Sequence, residues 1–128
     1  MKLAYVDTSA LVAIAFDEPS AREYARKLDE FERLVSSNLL EAELRAVFNR
    51  ENMKFRDEIM SRIDWILPNR SLDPEFNEVL RVGYLRGADL WHVATALFVA
   101  PKPSELSFAS LDARQCDVAG ELGFPIPL

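Results

Sequence analysis

Four acidic residues stand where a packed chain has little use for charge: Asp7, Glu43, Asp89 and Asp112. Asp7 interrupts the stretch YVDTSAL directly after the apolar run Leu3–Val6, and Asp112 directly follows Ser107–Leu111. If both runs are strands of an open α/β sheet, both acids fall just beyond strand carboxyl ends, where such sheets place their sites. Each also has a plainer reading, as the cap of the helix that follows. Ser9 is able to cap the first helix, which leaves Asp7 without a structural duty. Glu43 has Leu40 at i−3, Ala46 at i+3 and Val47 at i+4, so it lies at the edge of a core-facing stripe, where a carboxylate is costly unless compensated. Its neighbour Glu41 has Arg45 at i+4 and reads as a solvent-side ion pair. Asp89 shares a face with Val93, Ala96 and Ala100, its plainer role being a first-turn acid that suits the helix dipole. His92, one turn later, reads as a packed, hydrogen-bonded residue, and it is also spaced to orient Asp89.

Carboxylates gathered at one end of a sheet repel one another and cannot all stay ionised without a cation. One cysteine, Cys116, and one histidine are too few for a Cys/His zinc site. An oxygen-only donor set favours a hard ion, Mg²⁺ or Mn²⁺. Such an ion acidifies water and stabilises charge on a phosphoryl oxygen, the requirements of metal-assisted phosphodiester hydrolysis.

The elements that must position these residues follow from periodicity. Leu3–Val6 is a short apolar run suited to a strand buried on both faces of a parallel sheet. Helices are expected from Ser9 and from Glu18-Pro19-Ser20 to about Phe31, then a strand at Leu34-Val35 within Arg33–Ser36. Ser37 or Asn38 caps a helix carrying Leu40, Leu44, Val47 and Phe48 at the 3.6 period. A polar helix is expected over Phe55–Trp65 with Ile59, Ile63 and Ile66 on one face, followed by a short strand from Ile66-Leu67. Asp73-Pro74 opens another helix, and Gly87-Ala88-Asp89 starts the most apolar one, ended near Ala100 by Pro101-Lys102-Pro103. Leu106–Leu111 reads as a strand, Asp112–Leu122 as a helix stopped by Gly123, and Phe124–Ile126 as a closing strand. Strands alternating with helices give the α/β class, an α/β/α sandwich around a mainly parallel sheet of four to five strands, as one domain over 1–128.

Of 128 residues, 49% are hydrophobic and 28% charged, the balance of an ordinary globular chain. No apolar run reaches the ~20 residues that span a bilayer, and Asp7-Thr8-Ser9 breaks the weak likeness of the N-terminus to a signal peptide. A cytoplasmic protein is expected. The net charge of −6 disfavours nucleic-acid binding by bulk electrostatics, though not an acidic centre with a locally basic rim.

YVDTSAL, AELRAVF, ADLWHVATAL and FASLD, in that order, resemble the PIN-domain ribonucleases, especially the small VapC-type toxins of toxin–antitoxin pairs. The likeness runs over essentially the whole chain to the closing LGFPI. It implies a parallel sheet between helices and an acidic quartet holding Mg²⁺ or Mn²⁺. Asp7 matches the first-strand aspartate, Glu43 the glutamate of the acidic helix, Asp89 the aspartate of the DxxHxA helix and Asp112 that of the [T/S]xD turn. Ser110 fills that turn's hydroxyl position, and Thr8 or Ser9 that of the first loop, to orient a carboxylate or water; helix capping is the alternative for Thr8. The loop Pro101–Glu105 is longer than the minimal pattern, which leaves Asp117 as a substitute for Asp112. Trp91 stands where a smaller residue is expected, and packing is its preferred role. The resemblance further implies an RNA substrate, a cognate antitoxin bound in a groove between helices near Phe16–Phe31 and Leu39–Ile63, and a homodimer.

Arg45, Arg50, Lys54 and Arg114 are candidate phosphate contacts, each with ordinary surface solvation as its alternative. Two other functional classes compete. A haloacid-dehalogenase-type phosphatase wants a second acid two residues after the first, where this chain has Ser9. A catalytically silent protein-binding module has no need of four placed acids. A glycine-rich phosphate loop is missing from the sequence.

Overall fold

Leu3–Val6 (β1) runs through the middle of the molecule because every residue after Leu3 has an apolar layer to enter on either side. The computed structural model describes residues 2–128. After β1 come α1 (Thr8–Ala15), α2 (Ala21–Asp29), β2 (Arg33–Ser37), α3 (Leu39–Arg50), β3 (Ile63–Ile66), α4 (Asp73–Val82), α5 (Gly87–Val99), β4 (Ser107–Ala109) and α6 (Ala113–Leu122). The four strands form one all-parallel sheet in the order β3-β2-β1-β4, with Tyr5 registered against both Val35 and Phe108.

The two-residue alternation of the strands sorts side chains into two cores. Tyr5, Val35 and Phe108 face the layer built by Val79 of α4, Val93 and Leu97 of α5 and Val118 of α6. Ala4, Val6, Leu34, Ile63 and Ala109 face Ala10 and Leu11 of α1, Leu28 of α2 and Leu40, Leu44 and Phe48 of α3. This is the α/β/α sandwich expected from the alternation of elements. Ala96 of α5, fully buried, joins the core layer that faces Tyr5, Val35 and Phe108.

Several expected boundaries move. The polar helix over 55–65 is instead one 3₁₀ turn, Asp57–Met60, followed directly by β3. Three isoleucines at helical spacing are too few to distinguish helix from strand. Here Ile63 pairs with Leu34 at the sheet edge, and Arg33 crosses to Asp64 at 2.9 Å. The strand expected from Ile66-Leu67 therefore ends at Ile66 rather than beginning there. Phe124–Ile126 adds no fifth strand; Pro125 and Pro127 lack N–H donors, and the segment is held by a single ladder-like bond, Phe108 N–H to the Pro125 carbonyl at 2.8 Å. The second helix spans Ala21–Asp29, shorter at both ends than the expected Glu18–Phe31. The fourth strand occupies only Ser107–Ala109, because Ser110, Leu111 and Asp112 turn into α6. Gly123 stops α6 as expected, at a φ of 110° that suits glycine. Among the described residues no helix is long and apolar enough to cross a membrane.

Candidate active site

Every connection leaving the carboxyl edge of β1, β2 and β4 enters a helix, so the N-terminal turns of α1, α3 and α6 converge there. Asp7 is the N-cap of α1 and accepts from Ser9 N–H at 3.2 Å. The cap is therefore Asp7 and not Ser9, contrary to the sequence expectation, and Ser9 serves Asp7 instead. Its hydroxyl donates to Asp7 Oδ2 at 2.7 Å, with Ser110 Oγ 3.3 Å from the same oxygen. All the shorter bonds fall on Oδ2; Oδ1 has only His92 Nε2 nearby, at 3.8 Å. Asp112 caps α6, its Oδ1 accepting from Gln115 N–H at 2.9 Å, and Oδ2 has no protein partner among the described residues. Capping and site placement are thus not alternatives for these two aspartates. One oxygen serves the helix and the other is left free.

Glu43 lies half-buried on α3, and its Oε1 accepts from the Thr8 hydroxyl at 2.8 Å and from His92 Nε2 at 2.7 Å. Burial opposes its ionisation, but the hydrogen bonds from His92 and Thr8, helped by attraction to His92, outweigh it and hold the carboxyl below its ordinary value. Asp89, in the first turn of α5, has only a long ion pair, 3.9 Å to Arg86. Burial and then repulsion from Asp112 and Asp7 push its carboxyl up, with Arg86 pulling the other way.

Asp7, Glu43, Asp89 and Asp112 line one open cleft of about 350 Å³. Thr8 and Ser9 line it as well, and Ser110 stands behind Asp7. Asp117 is exposed on α6 and is not on the cleft wall. Glu41 pairs with Arg45 at 2.7 Å, as its spacing indicated. Trp91 does not narrow the cleft: its Nε1 donates to Ser37 Oγ at 2.7 Å and its ring packs beside Phe76.

His92 is the packed, hydrogen-bonded residue expected, but the alternative that its spacing offered, orienting Asp89, does not hold. It is fully buried and engages Glu43, 49 positions away, rather than Asp89. Its Nδ1 meets the Tyr5 hydroxyl at 2.7 Å, and that oxygen accepts from Ser37 N–H at 3.1 Å. Burial pushes the Tyr5 phenol well above its ordinary value, so it remains a donor. Both ring nitrogens of His92 are thus engaged, Nδ1 by the Tyr5 hydroxyl and Nε2 by Glu43 Oε1, in one buried chain from Ser37 to Glu43. Gln115 was missed too, although Asp112-Ala113-Arg114-Gln115 has the spacing of a capping box. Its side chain accepts from Ser110 Oγ at 2.8 Å and donates to the Asp89 carbonyl at 3.3 Å, tying the Asp112 turn to α5. Glu18, a fifth acid on the cleft wall, carried no sequence signal beyond its place before Pro19.

Among the described residues no three of these groups stand close enough to form a ready-made chelate. The donor set nonetheless fits a hard divalent ion. It is all carboxylate, each member keeps at least one oxygen free of protein partners, and the mutual repulsion written into Asp89 is what a cation relieves. Mg²⁺ retains several waters and needs only one or two direct carboxylates, so a loose ring suits it better than a tight one.

A parallel sheet between two helical layers, with acids converging beyond its carboxyl edge, defines an α/β protein built for polar chemistry at that edge. Residues 4–121 match the PIN domain, and the chain belongs to that family. PIN domains are generally nucleases that use divalent metals. Among curated proteins no sequence matches this chain.

Proposed function

We propose that this protein is a divalent-metal-dependent endoribonuclease acting as the toxin of a toxin–antitoxin pair, with Asp7, Glu43, Asp89 and Asp112 as its metal-holding and catalytic residues. The observation that carries the reading is the convergence of four acids from four helices on one cleft, each with a free oxygen. Mg²⁺ or Mn²⁺ held there would acidify a water and stabilise charge on the scissile phosphate.

The protein's own groups have separable duties. Asp7 Oδ2 is fixed by Ser9, so Oδ1 is aimed rather than free to rotate. Thr8 and His92 lock Glu43 Oε1, presenting Oε2 to the cleft in the ionised form. Asp89, whose carboxyl is pushed up by burial and then by Asp112 and Asp7, carries the repulsion that a bound cation would relieve. Asp112 is held by the first turn of α6, and Gln115 keeps that turn in register with Asp89. RNA as substrate, the antitoxin, the homodimer and a cytoplasmic location rest on the likeness to the small toxins of this family.

The test is cleavage of single-stranded RNA in Mn²⁺ by the wild type and Asp7→Asn. Metal-dependent cleavage lost in the variant supports the reading. Wild-type protein that leaves RNA intact while retaining a protein partner would sink it in favour of a binding module.

A further inference from the structure

Among the described residues the wall of the acidic cleft contains no lysine or arginine, although on the ribonuclease reading a phosphodiester chain must enter it. In a chain of net charge −6, the cations that meet the flanking phosphates have to be supplied locally. Two arginines stand at the Asp89 and Asp112 end. A second hollow of about 150 Å³ shares Asp89 and Asp112 with the cleft and adds Tyr84, Leu85, Arg86 and Arg114. We propose that this hollow is a nucleotide subsite, in which one unpaired base of a single-stranded RNA stacks on Tyr84 while Arg86 and Arg114 meet the phosphates on either side of it. The assignment deepens the ribonuclease reading and rests on it.

The chain between α4 and α5 is shaped for this task. Gly83 and Arg86 are both extended, so alternate residues point to opposite sides. Leu85 turns inward and joins the core as a buried anchor. Tyr84 is then left 70% exposed, the most exposed large apolar side chain among the described residues, and the Arg86 side chain is 81% exposed. An exposed tyrosine ring with no aromatic partner offers a face to a base, and stacking of this kind tolerates any base.

Arg114 is set beside it by two features. Its Nε donates to the Tyr84 carbonyl at 3.2 Å, fixing the guanidinium against the loop. A Cβ at position 83 would lie 3.1 Å from both Arg114 Nη2 and Val118 Cγ2, so the glycine leaves the space in which the guanidinium lies. Arg114 forms no ion pair among the described residues, and Arg86 only the long one to Asp89. Of the other basic candidates, Arg45 is committed to Glu41 and Asp57 and Arg50 to Glu51, while Lys54 lines neither hollow. Tyr84, Arg86 and Arg114 therefore form the free basic and aromatic edge of an otherwise acidic site.

The experiment measures binding of a fluorescently labelled single-stranded RNA of about a dozen nucleotides by anisotropy, in Mg²⁺, with Asp7→Asn as the parent so that the probe stays intact. Tyr84→Ala is expected to weaken binding about tenfold, with Tyr84→Phe restoring it. Arg86→Ala and Arg114→Ala are each expected to lower the slope of log K against log salt by about 0.7. Gly83→Ala is expected to reproduce part of the Arg114→Ala effect. If all these variants bind within twofold of the parent with an unchanged salt slope, or if the parent binds no RNA, the subsite is overturned. The two readings fail separately: unchanged binding beside wild-type cleavage removes the subsite alone. Tyr84-dependent binding beside a wild type that never cleaves supports the subsite and removes the nuclease.

Discussion

Replacing Tyr5 by Phe deletes one oxygen from the centre of the molecule and leaves the ring in its stack on Phe108, 5.4 Å between centroids. That oxygen is hydrogen-bonded to His92 Nδ1 at 2.7 Å and accepts from Ser37 N–H at 3.1 Å. Both partner residues are fully buried, so solvent does not reach the orphaned atoms. An unpaired buried donor or acceptor costs about 1–3 kcal/mol, and two such groups about 2–6 kcal/mol. The phenol hydroxyl no longer has to be desolvated, which offsets about 1–2 kcal/mol of this. Taking the middle of each range, a net loss of about 2–3 kcal/mol is expected, and for a chain of this length roughly 6–15 °C in Tm. Urea unfolding of both proteins, compared at equal m-value, gives the difference directly. With Nδ1 released, His92 no longer holds Glu43 in one orientation, so Mn²⁺ affinity is expected to fall as well. A loss below about 0.5 kcal/mol at unchanged m would refute the reasoning, since it would mean the buried chain from Ser37 to Glu43 is not a coupled element of the fold.

Asp89→Asn is expected to stabilise the metal-free protein at pH 7 by roughly 2–4 °C. The Asp89 carboxyl is pushed above its ordinary 3.8 by burial and by Asp112 and Asp7, so its ionisation weakens the fold as pH rises past that value. Calorimetry should accordingly show no gain at pH 3, and added Mn²⁺ should reverse the ranking by stabilising the wild type alone. Thr8→Val removes one of the two donors that, against burial, hold the Glu43 carboxyl low. The stability this gives is present above 4.5 and lost as pH falls through the lowered folded value, so urea unfolding should show a deficit of about 1 kcal/mol at pH 7 that shrinks in acid. Asp7→Asn keeps a competent N-cap, so its Tm should stay within about 4 °C of wild type while cleavage drops to the level seen with chelator.

The sheet and the acids were legible because their signals are short-range. Continuous apolar runs mark the buried strands, and an acid placed directly after such a run lies at the sheet edge whatever the rest of the chain does. β3 was misread because an edge strand has one solvated face, and Ile63, Asp64, Trp65 and Ile66 carry too little pattern to outweigh the chance helical spacing with Ile59. The closing segment looked like a strand by its apolar residues, but its two prolines forbid the ladder. At the site, His92 was legible as a packed, hydrogen-bonded residue, but its partners Glu43 and Tyr5 were not, and spacing offered only Asp89, one turn back. Which of two inward carboxylates a buried imidazole meets depends on how α3 and α5 lie across the sheet, and no local pattern encodes that. The spacing of Gln115 marked only the Asp112 cap that its backbone N–H completes; its side-chain bonds to Ser110 and Asp89, like the place of Glu18, depend on tertiary packing.

The claim on which the proposed function depends is that the four acids of the cleft together hold divalent metal. Titrating Mn²⁺ into the protein while following the free-ion signal by electron paramagnetic resonance tests it without any assumption about substrate. Binding by the wild type, weakened about tenfold or more in each of Asp7→Asn, Glu43→Gln, Asp89→Asn and Asp112→Asn, is the expected result. Wild-type binding that persists undiminished in Asp7→Asn, or no binding at all to the folded wild type, would contradict it.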